Sequence, residues 1–273
     1  MNLVSFKNTV WKFYKAEGRG HLPWRKTTDP YKILVSEVML QQTQVDRVIP
    51  KYKSFLKKFP SVKALANAKT KDVLLEWQGL GYNRRAFNLQ RAAAKIVSDF
   101  GNKFPQTLEE LLTLPGVGRA TSGDLLAFAY NKPAVVIETN IRTVFIHHFF
   151  PTSPKLRGAS AEVSDKQILE LIEKTLDKKN PREWYYALMD YGTHLKKTLG
   201  NNAVRSKHYK KQSRFEGSNR QLRSHILKLV LAKPRTEAEI IKLMKQPVEA
   251  INKNLLALSK EGLIQMKNGR ISA

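Results

Sequence analysis

Up to Leu199 the apolar residues recur mainly at spacings of three and four rather than in alternation, so the chain reads as a succession of amphipathic helices. Leu3, Phe6, Val10 and Phe13 form one stripe on an opening helix. Residues 30–48 predict a second, with Asp29 as its cap and Pro30 at the first helical position, where a missing N–H costs nothing. Short helices are expected at 61–68 and 71–78, and a longer one at 85–100 with Leu89, Ala92, Ala93 and Ile96 on one face. Helices over 107–114 and 120–130 flank the sequence "LPGVGR". In "PAVVIETNIRTVFIHHFF" the run Val135, Val136, Ile137 is too short to separate strand from helix, but from Asn140 the spacing of Ile141, Val144 and Phe145 is helical.

After Leu199 the pattern changes. "GNNAVRSKHYKKQSRFEGSNRQ" is polar, basic and poor in apolar residues, as expected of a linker laid over a surface or a partner. Helical spacing returns at 222–231, 236–244 and 248–261. The ending "GLIQMKNGRISA" sets two short apolar pieces around Asn268-Gly269, a hairpin signal because both residues tolerate a left-handed backbone. Three helices and a hairpin make a winged-helix pattern, used for binding DNA and sometimes for docking proteins.

Charge then selects the kind of partner. Lys and Arg number 48 against 23 Asp and Glu, a formal net charge of +25, and that excess favours a polyanion. Hydrophobic residues are 42% of the chain, enough for a real core. No cysteine is present, which excludes disulfides, thiolate metal sites, iron–sulfur clusters and cysteine nucleophiles. The six histidines show no paired metal-ligand spacing. The amphipathic start fits neither a signal peptide nor a membrane span, so a cytoplasmic, nucleoid-associated protein is expected, without membrane contact and as a monomer.

Helix, "LPGVGR", helix also has a chemical reading. Gly116 and Gly118 around Val117 bare backbone N–H groups, and the following helix adds its positive end, a combination that grips a phosphate without reading sequence. A tight turn between packed helices would use similar residues; the basic background favours the phosphate.

"LPWRKTTDPYKILVSEVMLQQTQVDRVIPKY", "WQGLGYNRRAFNL" and "LPGVGRATSG" resemble the helix–hairpin–helix (HhH-GPD) DNA glycosylases, and most closely the adenine-mismatch glycosylases of the MutY type. The resemblance covers roughly residues 22–192. It implies an all-α, two-lobed helix–hairpin–helix glycosylase fold with the active site in the cleft between lobes. On it, residues 1–215 would be the bilobal glycosylase domain: a helical-barrel lobe of about 22–130, a second lobe from 1–21 plus 131–200, and a basic linker at 200–218. Residues 219–273 would be the winged-helix-like module.

Removing a base from DNA breaks an N-glycosidic bond through an oxocarbenium-like state. The site needs an acid for the leaving base and a negative charge near the sugar, which two carboxylates in different settings can supply. Glu37 follows Ile33 and Leu34 at helical spacing, so its face is otherwise apolar, a setting that favours the neutral carboxyl. The resemblance places the catalytic acid there. It places the second carboxylate at Glu138, where the family has aspartate, with Asn140 as the accompanying asparagine; Glu138 also reads as the cap of the helix that follows. The family's strand-cutting members carry a lysine two residues after the hairpin's last glycine. Here that residue is Ala120, and Arg119 stays protonated, so water is the expected nucleophile.

The resemblance further puts Gln42 in the base stack with Gln41 and Thr43 flanking it, Tyr82 stacking beside it, and Arg84 and Arg85 at the DNA. Trp24, Arg25, Leu40 and Tyr186 would line the base pocket. With Gly116, Val117, Gly118, Arg119 and Ala120 at the hairpin, these form the expected DNA-contacting set. No cofactor is expected, although the hairpin could hold a monovalent cation. The expected partner is double-stranded DNA with a mismatched or damaged base. The expected activity is hydrolytic excision of adenine opposite guanine or oxidised guanine. Alternatives are thymine or uracil opposite guanine, hypoxanthine, or a non-catalytic DNA-binding role.

Three departures from the family stand out. Its four cluster cysteines after "MDYG" are missing, its domain for oxidised guanine is replaced by the winged-helix pattern, and Tyr186 stands where the adenine enzymes usually present Gln or Glu.

Overall fold

The computed structural model describes residues 1–151, 162–209, 211 and 214–273; linker residues 210, 212 and 213 lie outside the described residues. In chain order the helices are α1 (Leu3–Glu17), α2 (Pro30–Leu40), α3 (Val45–Lys58), α4 (Val62–Ala66), α5 (Thr70–Trp77), α6 (Arg84–Asp99), α7 (Leu108–Leu112), α8 (Arg119–Phe128), α9 (Thr139–Phe149), α10 (Asp165–Thr175) and α11 (Pro181–Leu199). They are followed by α12 (Asn219–Ala232), α13 (Glu237–Met244), α14 (Val248–Lys260) and the strands β1 (Gln265–Lys267) and β2 (Arg270–Ser272). The protein is thus predominantly helical, as its periodicity indicates. Among the described residues no helix is long and apolar enough to cross a membrane.

One local expectation is corrected, and one segment left open by its spacing is settled. The helix expected over 30–48 is two helices, because the chain leaves helical geometry at Leu40, passes Gln42 at φ +54° and restarts at Val45. The apolar stripe hid the break by resuming in register at Val45 and Val48. The run Val135 to Ile137 belongs to no strand; it leads into α9, which Glu138 caps.

Contacts divide the chain into two compact units. The first holds Met1–Ile33, Gln106–Leu112 and Val117–Lys211. Its core gathers α1, α9, α10 and α11 around an aromatic cluster, with the Phe6 ring 5.1 Å from Phe145, 4.9 Å from Phe149 and 6.2 Å from Trp184. Helices α9 and α11 touch backbone to backbone at Gly192. A side chain there would run into the Asn140 carbonyl, so the register of the two helices depends on that glycine.

The second unit holds Leu34–Pro105, Thr113–Gly116 and Gln212–Ala273. Its helices α3 to α6 bury Val48, Tyr52, Phe55, Leu65, Leu74, Trp77, Leu89 and Ile96. The C-terminal residues share this unit. Helix α12 packs on α13, α14 and α5, and Gly262 comes so close to Phe87 that an added Cβ would stand 2.9 Å from the ring. Strands β1 and β2 pair antiparallel with Met266 opposite Ile271, joined through Asn268 and Gly269 at φ +49° and +69°.

Candidate functional site

In the second unit, Glu37 is half-buried on α2, between the fully buried Ser36 and Val38 and one turn from the buried Ile33 and Leu34. The apolar face expected for it is present. Helix α2 ends at the half-buried Leu40; the half-buried Gln41 follows, then Gln42, which is exposed. Gln42 and Tyr82 both hold a left-handed backbone, φ +54° and +47°, which for a residue with a side chain costs about 1–2 kcal/mol. They are also the two residues assigned to the base stack.

What holds those loops is Arg85. The family resemblance puts it at the DNA, and in this structure both of its Nη groups bond to the chain itself. Nη1 donates to the carbonyls of Val38, Met39 and Gln41 at 2.7, 3.0 and 2.6 Å, and Nη2 to Thr43 Oγ1, Leu80 O and Gly81 O at 3.1, 3.1 and 3.2 Å. One guanidinium thereby caps the carbonyls at the end of α2 and ties the "QQT" loop to the "GLGY" loop. Burial lowers its pKa to about 10. Arg85 thus clamps the two loops from within, while the neighbouring Arg84 is exposed.

The hairpin glycines differ in kind. Gly116, at φ +78°, lies against Asn88, whose Cβ would be 2.7 Å from an added Cβ, so the chain itself demands glycine. Gly118 has an ordinary φ of −97° and an added Cβ would meet nothing within 4 Å. It caps α8 without a side-chain hydrogen bond, at the positive end of that helix. Val117 is buried, whereas Gly116, Gly118, Arg119 and Ala120 are exposed.

In the first unit, the Glu138 carboxylate is fixed at the N-terminus of α9. Its Oε1 accepts from the backbone N–H groups of Asn140 at 2.7 Å and Ile141 at 2.9 Å, and its Oε2 from the Asn140 amide at 3.3 Å. It does cap the helix, and the capping orients it. Lys196 Nζ donates to Asn140 Oδ1 at 2.8 Å, so ammonium, amide and carboxylate form a chain of hydrogen bonds. Burial lowers the Lys196 pKa below the usual lysine value, with the charge of Glu138 opposing that shift. Sequence reading missed Lys196. The signal was its position four residues after Gly192, on the α11 face that meets Asn140.

Arg25, which the resemblance puts in the base pocket, has a side chain 4% exposed and bonds Asp190 bidentately, both contacts 2.7 Å. Arg19 adds a backbone N–H at 2.8 Å and its Nε at 2.7 Å to the same carboxylate. Burial alone would raise the Asp190 pKa, but Arg25 and then Arg19 hold it below the usual carboxylate value. The Arg25 guanidinium lies 4.3 Å from the Tyr186 ring centroid, and Phe128 stacks on Tyr186 at 4.6 Å. Tyr186, 3% exposed, and Trp24, 4% exposed, are buried in this unit.

Among the described residues no group of three or more histidine and carboxylate side chains could hold a metal ion. With no cysteine in the chain, no thiolate is available for an iron–sulfur cluster.

A helical protein with a glycine hairpin opening one helix and a carboxylate fixed at the start of the next belongs, by architecture, with DNA-handling helix–hairpin–helix proteins. Residues 35–174 match the HhH-GPD superfamily of base excision DNA repair proteins, and the chain is a member of that family. It is 35% identical over 196 residues to the adenine DNA glycosylase of Buchnera aphidicola subsp. Baizongia pistaciae, covering 70% of this chain and 53% of that protein. It is 33% identical over 203 residues to the human adenine DNA glycosylase, covering 70% and 36%. The chain therefore spans only about half, or less, of these curated relatives. Among solved structures, a thermostable thymine-DNA glycosylase superposes with a TM-score of 0.60 at 27% identity, covering 70% of this chain and 85% of that one.

Proposed function

We propose that this protein is a monofunctional DNA N-glycosylase that excises adenine mispaired with guanine or oxidised guanine. It would act as a monomer on double-stranded DNA in the cytoplasm, associated with the nucleoid, and without a cofactor. The observation that carries this reading is the Glu138 carboxylate, oriented by two backbone N–H groups and the Asn140 amide. A negative charge held that firmly stabilises a cation developing at C1′ without rearranging.

In the proposed reaction the N-glycosidic bond breaks with its electron pair going to the base, and the Glu37 carboxyl protonates the departing nitrogen. Water then adds to C1′, its proton returning to the carboxylate left behind. Ala120 offers no amine for a covalent sugar adduct. Gly118 and the positive end of α8 would hold a phosphate. Gln42 and Tyr82 would fill the gap left by the extruded nucleotide. Residues 219–273 would serve as the winged-helix-like DNA-binding arm.

A second reading, excision of thymine opposite guanine, is favoured by the fuller coverage of the thymine-DNA glycosylase structure, 85% of that chain. A panel of duplexes with single A·G, A·oxidised-G, T·G, U·G and hypoxanthine·T pairs separates the readings under single-turnover conditions. Glu37→Gln should slow base release by about 10²- to 10⁴-fold with DNA affinity nearly intact. Abasic product should remain uncut until alkali or heat. Covalent trapping by borohydride in good yield, or full activity in Glu37→Gln, would contradict the mechanism.

A further inference from the structure

The C-terminal residues do not hang from the basic linker as a free arm. Helix α12 packs on α5, and Gly262 abuts Phe87 on α6. Arg223 on α12 bonds Glu261 at 2.7 Å, right beside Gly262. Ser218 caps α12 through the Gln221 N–H, and the Gln221 side chain accepts from the Gly217 N–H at 2.8 Å, so the first turn of α12 is rigid. From that turn Arg220 reaches Tyr82. Its Nη1 donates to the Tyr82 hydroxyl at 2.7 Å, and its guanidinium lies 5.3 Å from the ring centroid, with Arg85 at 5.6 Å from the same ring.

We propose that Arg220 is a positioning residue for Tyr82, so that the C-terminal module sets the side chain that probes the base stack. Arg85 fixes the backbone of the "GLGY" loop, and Arg220 fixes the ring that the loop presents. A left-handed tyrosine on a glycine-flanked loop would otherwise sample several ring orientations, of which few could enter a base stack. The partner is duplex DNA. The module carries eleven Lys and Arg against four Glu over 219–273, so it is drawn to the same polyanion as the loop it steadies. DNA binding by the module and entry of Tyr82 thus become one event.

The inference rests on the reading of Tyr82 as a DNA-inserting residue. Its test is a double-mutant cycle in the full-length protein with Arg220→Met, Tyr82→Phe and the pair. Two readouts are single-turnover base release at saturating enzyme and fluorescence of 2-aminopurine placed beside the target base. Each single variant should lower both readouts about tenfold, since a misplaced contact group of this kind costs up to about a hundredfold. The pair should be no worse than the poorer single, because both remove the same contact. Arg220→Lys, which keeps the charge but not the planar fork, should recover DNA affinity without recovering flipping. Additive losses overturn the proposal. So does a variant whose only defect is a salt slope shallower by about one, the mark of an ordinary phosphate contact. If the wild type releases no base from any duplex, the glycosylase reading fails. The fluorescence cycle still reports flipping in that case, and absence of coupling there overturns the role of Arg220.

Discussion

Two arginines, one in each unit, are largely withdrawn from solvent and bonded through both Nη groups, yet in opposite ways. Arg25 faces a carboxylate: Asp190 takes both of its Nη groups while Tyr186 covers its face. Arg85 faces backbone carbonyls of Val38, Met39, Gln41, Leu80 and Gly81, and among the described residues no carboxylate forms a salt bridge with it. The first is a closed pair whose charges cancel, fitted to fastening Arg25 and Arg19 to α11. The second keeps a net positive charge under two exposed loops, fitted to a surface that meets a polyanion. The resemblance puts Arg25 in the base pocket and Arg85 at the DNA; a motif shows where an arginine lies along the chain but not which acceptors fold around it.

The contrast predicts different failures. Asp190→Ala leaves Arg25 buried and unpaired, which should cost about 3–5 kcal/mol of stability, read by urea unfolding. A loss below about 1 kcal/mol would mean that Arg25 finds water or another acceptor, and the closed-pair description would fail.

Arg85→Met should cost less, about 2–3 kcal/mol, because it strands carbonyls that water reaches in part. Its larger effect should be on activity. Once Gln42 and Tyr82 lose their shared clamp, base release should fall by about a hundredfold with smaller change in DNA affinity. Arg85→Lys should rescue stability in part but not rate, since an ammonium cannot span acceptors on two loops. Equal losses of rate and affinity would make Arg85 a DNA contact after all.

The hairpin repeats the distinction in miniature. Gly116→Ala must fit a Cβ at φ +78° against Asn88 and should cost about 2 kcal/mol. Gly118→Ala should leave stability unchanged or slightly raised but weaken DNA binding, because only an incoming phosphate would meet the methyl. Melting and affinity measured on both variants decide the matter, and destabilisation by Gly118→Ala would make that glycine a fold requirement too.

The helices, the hairpin and the position of Glu37 were legible because local spacing and glycine chemistry dictate them. Glu138 was legible as the cap of α9, which the structure bears out. The break at residues 41–44 was not, since what ends α2 is a guanidinium 44 to 47 residues away in sequence. Lys196 escaped for a similar reason: its partner lies 56 residues earlier, and only the α9–α11 contact joins them.

The smallest effect concerns protons. His148 stacks beside Tyr191, shares a 3.0 Å hydrogen bond with its hydroxyl and touches Phe6 edge-on. Burial, then the neighbouring His147 and the N-terminal amine, lower its pKa from 6.5 to about 4. The folded protein therefore keeps this ring neutral where the unfolded chain would protonate it. Stability should be complete above about pH 6.5, fall as pH drops, and level off near pH 4, where the folded ring also takes a proton. With the ring partly exposed, the loss should be roughly 1–2 kcal/mol, well short of the full shift. Asp190 and Asp165, both held below the usual carboxylate value by arginines, lose their contribution only at lower pH, outside this window. Urea midpoints measured between about pH 7 and pH 4.5 should decline in the wild type and stay nearly flat in His148→Gln, which preserves a partner for Tyr191. The same decline in both proteins would place the titrating group elsewhere.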